Sequence, residues 1–157
     1  MSDDVDLPAF ERMRSALVSL LNNINIAESN CPTGSRVAVV AYSAYTEYLI
    51  RFQDYRRKSQ LLEAVQGISL VRTANKRNLG AAMRYVAHNV FKRTRKGMRV
   101  RKVAIFFSNG PSQDSSAIVT ATMEFNALNI IPAVITLKSS PNVVQAFKVI
   151  NGDTELR

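Results

Sequence analysis

The chain has 157 residues, 46% hydrophobic and 21% charged. That is the balance of an ordinary globular domain, long enough to bury roughly 70% of its unfolded surface as one unit. Lys plus Arg number 21 against 12 Asp plus Glu, a formal charge of +9, which favours polyanionic partners such as nucleic acid, sulfated glycans or anionic lipid. No apolar run approaches the roughly 20 residues of a membrane helix, and the acidic opening MSDDVDLPAF lacks the apolar segment of a signal peptide. One cysteine, Cys31 in SNCPTG, excludes an intrachain disulfide and a zinc cluster. It is a spare thiol in a cytosolic protein, or in a secreted one the partner of a cysteine outside this segment or in another chain.

Pro8 to Asn23 reads as an amphipathic helix, with Phe10, Met13, Leu17, Leu20 or Leu21, and Ile24 at three- and four-residue steps. Asp6 suits its cap and Pro8 its first turn. After the turn cluster SNCPTGS, the β-branched run RVAVVAYS, Arg36 to Ser43, has the look of a buried strand. TEYLIRF, Thr46 to Phe52, follows after a link too short for a crossover helix, so the two form an antiparallel hairpin. Alternation puts Thr46, Tyr48 and Ile50 on one face of this edge strand.

A short helix follows over Arg57 to Val65, with Leu61, Leu62 and Val65 inward. Gly67 to Arg77 is a polar, basic loop. Asn78 is placed to cap a helix whose stripe is Leu79, Met83, Val86 and Val90, with Ala82 beside it. KRTRKGMRVRK, Lys92 to Lys102, carries seven cations in eleven residues. Val103 to Phe107 is a second buried strand. Ser112 is placed to cap a helix reaching about Leu128, with Ile118, Ala121, Thr122 and Phe125 inward. Ile130 to Leu137 is a third apolar strand, and a short helix runs over Val143 to Val149.

Helices alternating with short apolar strands predict an α/β domain: a doubly wound, mostly parallel sheet with one antiparallel edge strand and helices on both faces. Functional groups then gather at the carboxyl ends of the strands, near Ser43, Ser108–Asp114 and Leu137–Ser140. The chain opens with a helix where such a sheet normally starts with a central strand, so either the first strand lies outside the segment or something else fills its place.

Several chemistries lack their residues. There is no G-x-G-x-x-G and no G-x-x-x-x-G-K-[ST], so no nucleotide site is expected. The single histidine, His88, lies off the apolar stripe of its helix, and Cys31 has no charged neighbour in sequence. No nucleophile–base set can be assembled, and the chain is not expected to be an enzyme.

Taken in order, TGSRVAVVAYS, TEYLIRF, NLGAAMRYV, KVAIFFSNGPSQDSS and FNALNIIPAVITL resemble a von Willebrand factor A domain over nearly the whole chain, 1–157, as a single N-terminally truncated domain. The valine-rich strand ending in Tyr-Ser is matched by Val37–Ser43. The Ala-Leu-x-Tyr-Val-like helix is matched by Ala82-Met83-Arg84-Tyr85-Val86, and the strand ending in Thr-Asp-Gly by Ser108-Asn109-Gly110. NCPTGSRVAVVAYS and FNALNI are most similar to the A domains in the long α chains of type VI collagen.

The resemblance implies a metal-ion-dependent adhesion site built from three loops: Asp-x-Ser-x-Ser after the first strand, a Thr before the central helix, and the Asp of Thr-Asp-Gly. Hydroxyl and carboxylate oxygens are hard ligands suited to Mg²⁺. Here the first loop would precede Met1, Arg77 falls where the family has its Thr, and Asn109 replaces the Asp. The expected site is degenerate, with rim residues Arg77, Ser108, Asn109 and Asp114, no metal and no cofactor. Arg77 either occupies the cation's place, bonding Asn109, Ser108 or Asp114, or points to solvent.

The basic residues Lys92, Arg93, Arg95, Lys96, Arg99, Arg101 and Lys102 sit before a strand, hence at the pole opposite the rim. Arg56, Arg57 and Lys58 form a second cluster. Such clusters hold sulfate or phosphate with strong salt dependence, or are simply solvated. Lys92 to Lys102 has no aromatic for base stacking, which argues against single-stranded nucleic acid.

The resemblance implies a secreted extracellular-matrix module for adhesion and assembly. Its expected partners are other matrix proteins or A domains and, through the basic clusters, sulfated glycosaminoglycans; membrane insertion is not expected. The alternative is a basic α/β domain that binds polyanions, either heparan sulfate or nucleic acid.

Overall fold

The computed structural model describes residues 1, 5–28, 33–71, 76–92, 100–138 and 141–151. Helix α1, Leu7–Asn22, starts where the sequence places it: the Asp6 carboxylate accepts from the Ala9 N–H at 2.8 Å, with Pro8 in the first turn. Strands β1, Val39–Tyr42, and β2, Thr46–Ile50, form the antiparallel hairpin. Then come α2, Lys58–Gln66, and α3, Leu79–Tyr85, which continues without a break into a π-helical turn, Val86–Val90. The remaining elements are β3, Lys102–Ser108, α4, Ser115–Ala127, β4, Ile130–Thr136, and α5, Pro141–Asn151. Among the described residues no helix is long and apolar enough to cross a membrane.

The strands lie in two pairs. β3 and β4 are parallel in unbroken register from Lys102↔Ile130 to Ser108↔Thr136, and β1 and β2 make the other pair. β1 and β3 are linked by a side chain: the Tyr42 hydroxyl donates to the Phe107 carbonyl oxygen at 2.9 Å. That contact brings the carboxyl ends of β1 and β3 together. Ser43, Ser108 and Thr136 then lie at one pole, as doubly wound connectivity requires.

Two apolar clusters sandwich the β1–β2 pair. On one side Leu21 of α1 and Leu61 and Val65 of α2 pack with Ile50, Val37 and Val39. On the other Ala38, Val40, Tyr42 and Tyr48 meet the main core of Leu79, Met83, Val86, Ala104, Phe106, Ile118 and Phe125. The inward stripes expected for α3 and α4 are all buried. The β3–β4 pair has its Ala104 and Phe106 side in that core, while Val103, Ile105, Ile131 and Ile135 on its other side are exposed.

Three local features differ from the sequence reading. Simple alternation puts Tyr48 and Ile50 on one face, but the register slips between Val39 and Val40, pairing Val39 with Ile50 and Val40 with Tyr48. The extra residue is Leu49, and the bulge sends Tyr48 and Ile50 into opposite clusters. Asn78 stands at the α3 N-terminus without a capping side-chain bond. Ser112 does not cap α4, whose N-terminal flank is Asp114. Both Ser112 and Asp114 serve α3 instead.

Helices α3 and α4 meet at Gly80. A Cβ there would come within 2.6 Å of the Ala117 carbonyl carbon and of the Ile118 nitrogen. Both obstacles are backbone, so neither can rotate aside. Gly80→Ala is expected to push the helices apart and cost about 1–3 kcal/mol, the usual penalty for overpacking. Urea denaturation should show a lowered midpoint with an unchanged slope.

Candidate functional site

The rim is built from two segments clasped together, residues 76–81 before and into α3 and residues 108–115 after β3. A backbone–backbone bond and a backbone-to-side-chain bond run in opposite directions across them. The Gln113 N–H donates to the Arg77 carbonyl at 3.0 Å, and the Arg77 N–H donates to the Gln113 side-chain oxygen. The Ser112 hydroxyl accepts from the Leu79 N–H at 3.1 Å. It lies 2.9 Å from the Arg77 carbonyl and 2.6 Å from Asp114 Oδ1, either of which can take its single proton.

Asp114 faces the start of α3. Its two carboxylate oxygens accept from the Gly80 N–H at 3.1 Å and the Ala81 N–H at 2.9 Å. A helix start leaves its first N–H groups without intrahelical partners, and here an acid 34 residues downstream in sequence receives one of them. Hydrogen bonds that involve an ionised acceptor are short and about twice as strong as neutral ones.

Arg77 lies across the turn after β3. Its Nε donates to the Pro111 carbonyl at 3.0 Å and its Nη1 to the Asn109 carbonyl at 3.3 Å. Gly110 has φ of +136°, and a Cβ on it would stand 3.1 Å from the Arg77 guanidinium carbon. Only glycine combines that backbone conformation with a guanidinium packed against it. Of the partners considered for Arg77, the structure gives the backbone oxygen of Asn109. The Ser108 hydroxyl donates to the Gly110 carbonyl at 2.9 Å.

The neighbouring loops are tied to this clasp. The Asn78 N–H donates to the Ser43 carbonyl at 3.1 Å and the Leu137 N–H to the Ser108 carbonyl at 2.8 Å. The Asn142 side-chain nitrogen donates to the Ser112 carbonyl at 2.8 Å. Asn109 itself is 4% exposed, buried beneath the surface. Among the described residues, no group of three His, Cys, Asp or Glu side chains comes together as a metal cluster.

Tyr42 lies under the rim. Burial, above all, pushes its hydroxyl well above the ordinary tyrosine range. The Arg77 charge opposes this, the Asp114 charge adds to it, and the hydrogen bond with Ser108 opposes it.

Away from the rim, His88 Nε2 sits 3.2 Å from Glu124 Oε2, and Arg84 Nε is 3.2 Å from the other oxygen of the same carboxylate. His88 is thus an exposed helix-surface residue held by an acid. Of the expected polyanion ligands, Arg56, Arg57, Lys92 and Arg101 are exposed and Lys102 is half-buried at the start of β3. Lys58 is engaged elsewhere: its Nζ donates to the Asn22 and Ile24 carbonyls at 3.0 and 2.9 Å, closing the end of α1. Arg93, Arg95, Lys96, Arg99 and Cys31 lie outside the described residues.

The sequence reading missed the part played by Asp114 and by Ser112 in starting α3. The available signal was weak, because S-x-D before an apolar run reads as the cap of its own helix.

A family model described as the von Willebrand factor type A domain matches residues 1–155. The chain is 48% identical over 148 residues to the collagen alpha-6(VI) chain of Mus musculus, covering 94% of this chain and 6% of that one. It is 51% identical over 133 residues to the collagen alpha-5(VI) chain of Homo sapiens, covering 85% of this chain and 5% of that one. The chain therefore spans a small fraction of the length of these relatives. Among solved structures, the manganese-loaded TRAP protein of Plasmodium vivax superposes with a TM-score of 0.77 at 18% identity, covering 99% of this chain and 61% of that one. At that identity the likeness speaks to the fold alone.

Two outcomes are expected here. Asp114→Ala leaves the Gly80 and Ala81 N–H groups without their acceptor and should destabilise the fold by about 1–3 kcal/mol, read from chemical denaturation. Raising the pH above about 10 ionises this tyrosine in the unfolded chain while the folded chain keeps the proton. The unfolded state then binds fewer protons, so stability falls as pH rises, by up to about 1.4 kcal/mol per pH unit. Tyr42→Phe should make the stability profile shallower by about one proton over that range.

Proposed function

The chain belongs to the von Willebrand factor type A domain family, and we propose that it acts as a non-enzymatic adhesion and assembly module of a secreted, collagen VI-like matrix protein, with a degenerate adhesion site that works without a divalent cation. Identities of 48% and 51% to collagen VI chains support the matrix setting. Its partners are then other matrix proteins or A domains of the same assembly.

The observation that carries the metal-free reading is Arg77. Its guanidinium lies over Gly110 and is fastened to the Asn109 and Pro111 carbonyls. A +1 charge about 4 Å from a +2 ion costs roughly 8 kcal/mol at an effective dielectric of 20. Asn109 brings an amide in place of a charge, and the carboxylate of Asp114 already accepts two backbone N–H groups. These residues do not suit Mg²⁺, and protein surface alone does the recognising. The non-enzymatic reading is supported by His88, whose exposed ring pairs with Glu124 away from the rim.

Titration of the chain with Mg²⁺ and Mn²⁺ in a calorimeter should give no binding heat at millimolar concentrations. Its attachment to a collagen VI-containing matrix should be the same with and without EDTA. Saturable binding of either ion, or attachment abolished by the chelator, would overturn the metal-free site; no attachment under either condition would overturn the adhesive role.

A further inference from the structure

Basic residues from stretches well separated in sequence lie at the pole opposite the rim. β2 ends there at Ile50, beside the start of β1, and is followed by Arg51, Arg56 and Arg57. β3 begins at the same pole, preceded by exposed Arg101. The π-helical turn also ends there, at Val90, and leads through Phe91 to exposed Lys92.

Two contacts fasten the end of β2 to the π turn, and a third orients Arg51 upon them. The Phe52 and Phe91 rings pack with centroids 6.1 Å apart. The Tyr48 hydroxyl donates to the Asn89 carbonyl at 3.0 Å. The Arg51 guanidinium stacks on the Tyr48 ring, 4.5 Å from its centre, so it is held in place by a residue that itself grips the π turn.

In the stretches 50–58, 88–92 and 100–104 the only carboxylate is Asp54, and its Oδ2 accepts the Arg51 backbone N–H at 2.9 Å. Carboxylates brought against these stretches from elsewhere in the fold are engaged: Glu28 Oε1 accepts the Lys58 backbone N–H at 3.0 Å, and Glu124 pairs with His88 at 3.2 Å. Arg56, Arg57, Lys92 and Arg101 make no ion pair among the described residues. Tyr55, in the same turn as Arg56, is exposed and offers an apolar face.

We infer that Arg51, Arg56, Arg57, Lys92 and Arg101 form one composite binding site for a linear sulfated glycosaminoglycan, not two independent patches. Guanidinium and ammonium groups contact the sulfates, and the aromatic joint fixes the spacing between the two halves. Choosing a sulfated glycan over nucleic acid rests on the matrix reading above; the joining of the two halves does not.

The test is calorimetric titration of the chain with a short heparin oligosaccharide, comparing Arg56→Ala/Arg57→Ala with Lys92→Ala/Arg101→Ala. A composite site binds one oligosaccharide per chain. Each double variant should keep that stoichiometry and weaken affinity at least about tenfold, the worth of two lost charge-assisted contacts, with a shallower salt dependence. Arg12→Ala on α1, which removes the same kind of charge elsewhere, should leave affinity unchanged, and circular dichroism verifies that the variants are folded.

Two oligosaccharides per wild-type chain, with each double variant losing one and binding the other with unaltered affinity, would overturn the composite site. Equal weakening by Arg12→Ala would reduce the effect to net charge and also overturn it. A structured RNA that displaces the oligosaccharide at equal concentration would overturn the glycan as ligand. None of these outcomes bears on the cation-independence of the rim, so the two readings fail separately.

Discussion

The Gly80 and Ala81 backbone N–H groups both donate to the carboxylate of Asp114, and the rim depends on that pair of bonds. They join the start of α3 to the segment that leads into α4. The same two helices touch backbone to backbone at Gly80. With those two points fixed, the turn between Ser108 and Asp114 has little freedom, and Arg77 is delivered across it. A carboxylate committed to ordering a helix start is poorly placed to serve a metal as well.

The parts of the fold that local rules govern are legible in the sequence. Asp6 and Pro8 announce the start of α1, and the stripes on α3 and α4 name buried residues one by one, because a helix imposes its own period on what faces the core. Legibility stops where the deciding partner is distant. The α3 start is organised by Ser112 and Asp114, more than thirty residues away, so Asn78 looked like the cap. The bulge at Leu49 breaks the alternation from which strand faces are read. The π turn at Val86–Val90 keeps the apolar stripe of an α-helix and leaves no mark in it.

The candidate site divides in the same manner. The family pattern points to position 77 and to Asn109 from sequence alone. Which oxygens Arg77 reaches is a matter of tertiary geometry: backbone carbonyls of the turn, to which no side-chain identity points. The basic residues are visible as charge, but the joining of the β2 end to the π turn is not. It depends on Phe52 finding Phe91 and Tyr48 finding Asn89, pairings between a strand and a helix end. Lys58, which looked like one more surface cation, instead closes the end of α1.

The clamp on the rim turn also bears on how this protein ages. An Asn-Gly sequence is the one most prone to lose its side-chain amide, because the following nitrogen can swing round and attack it. At Asn109-Gly110 that swing is opposed from both sides: the Asn109 carbonyl is held by Arg77 and the Gly110 carbonyl by the Ser108 hydroxyl. The side chain to be attacked is also buried. The arginine laid across this turn thus opposes the chemistry that would, with time, turn the amide beneath it into a carboxylate.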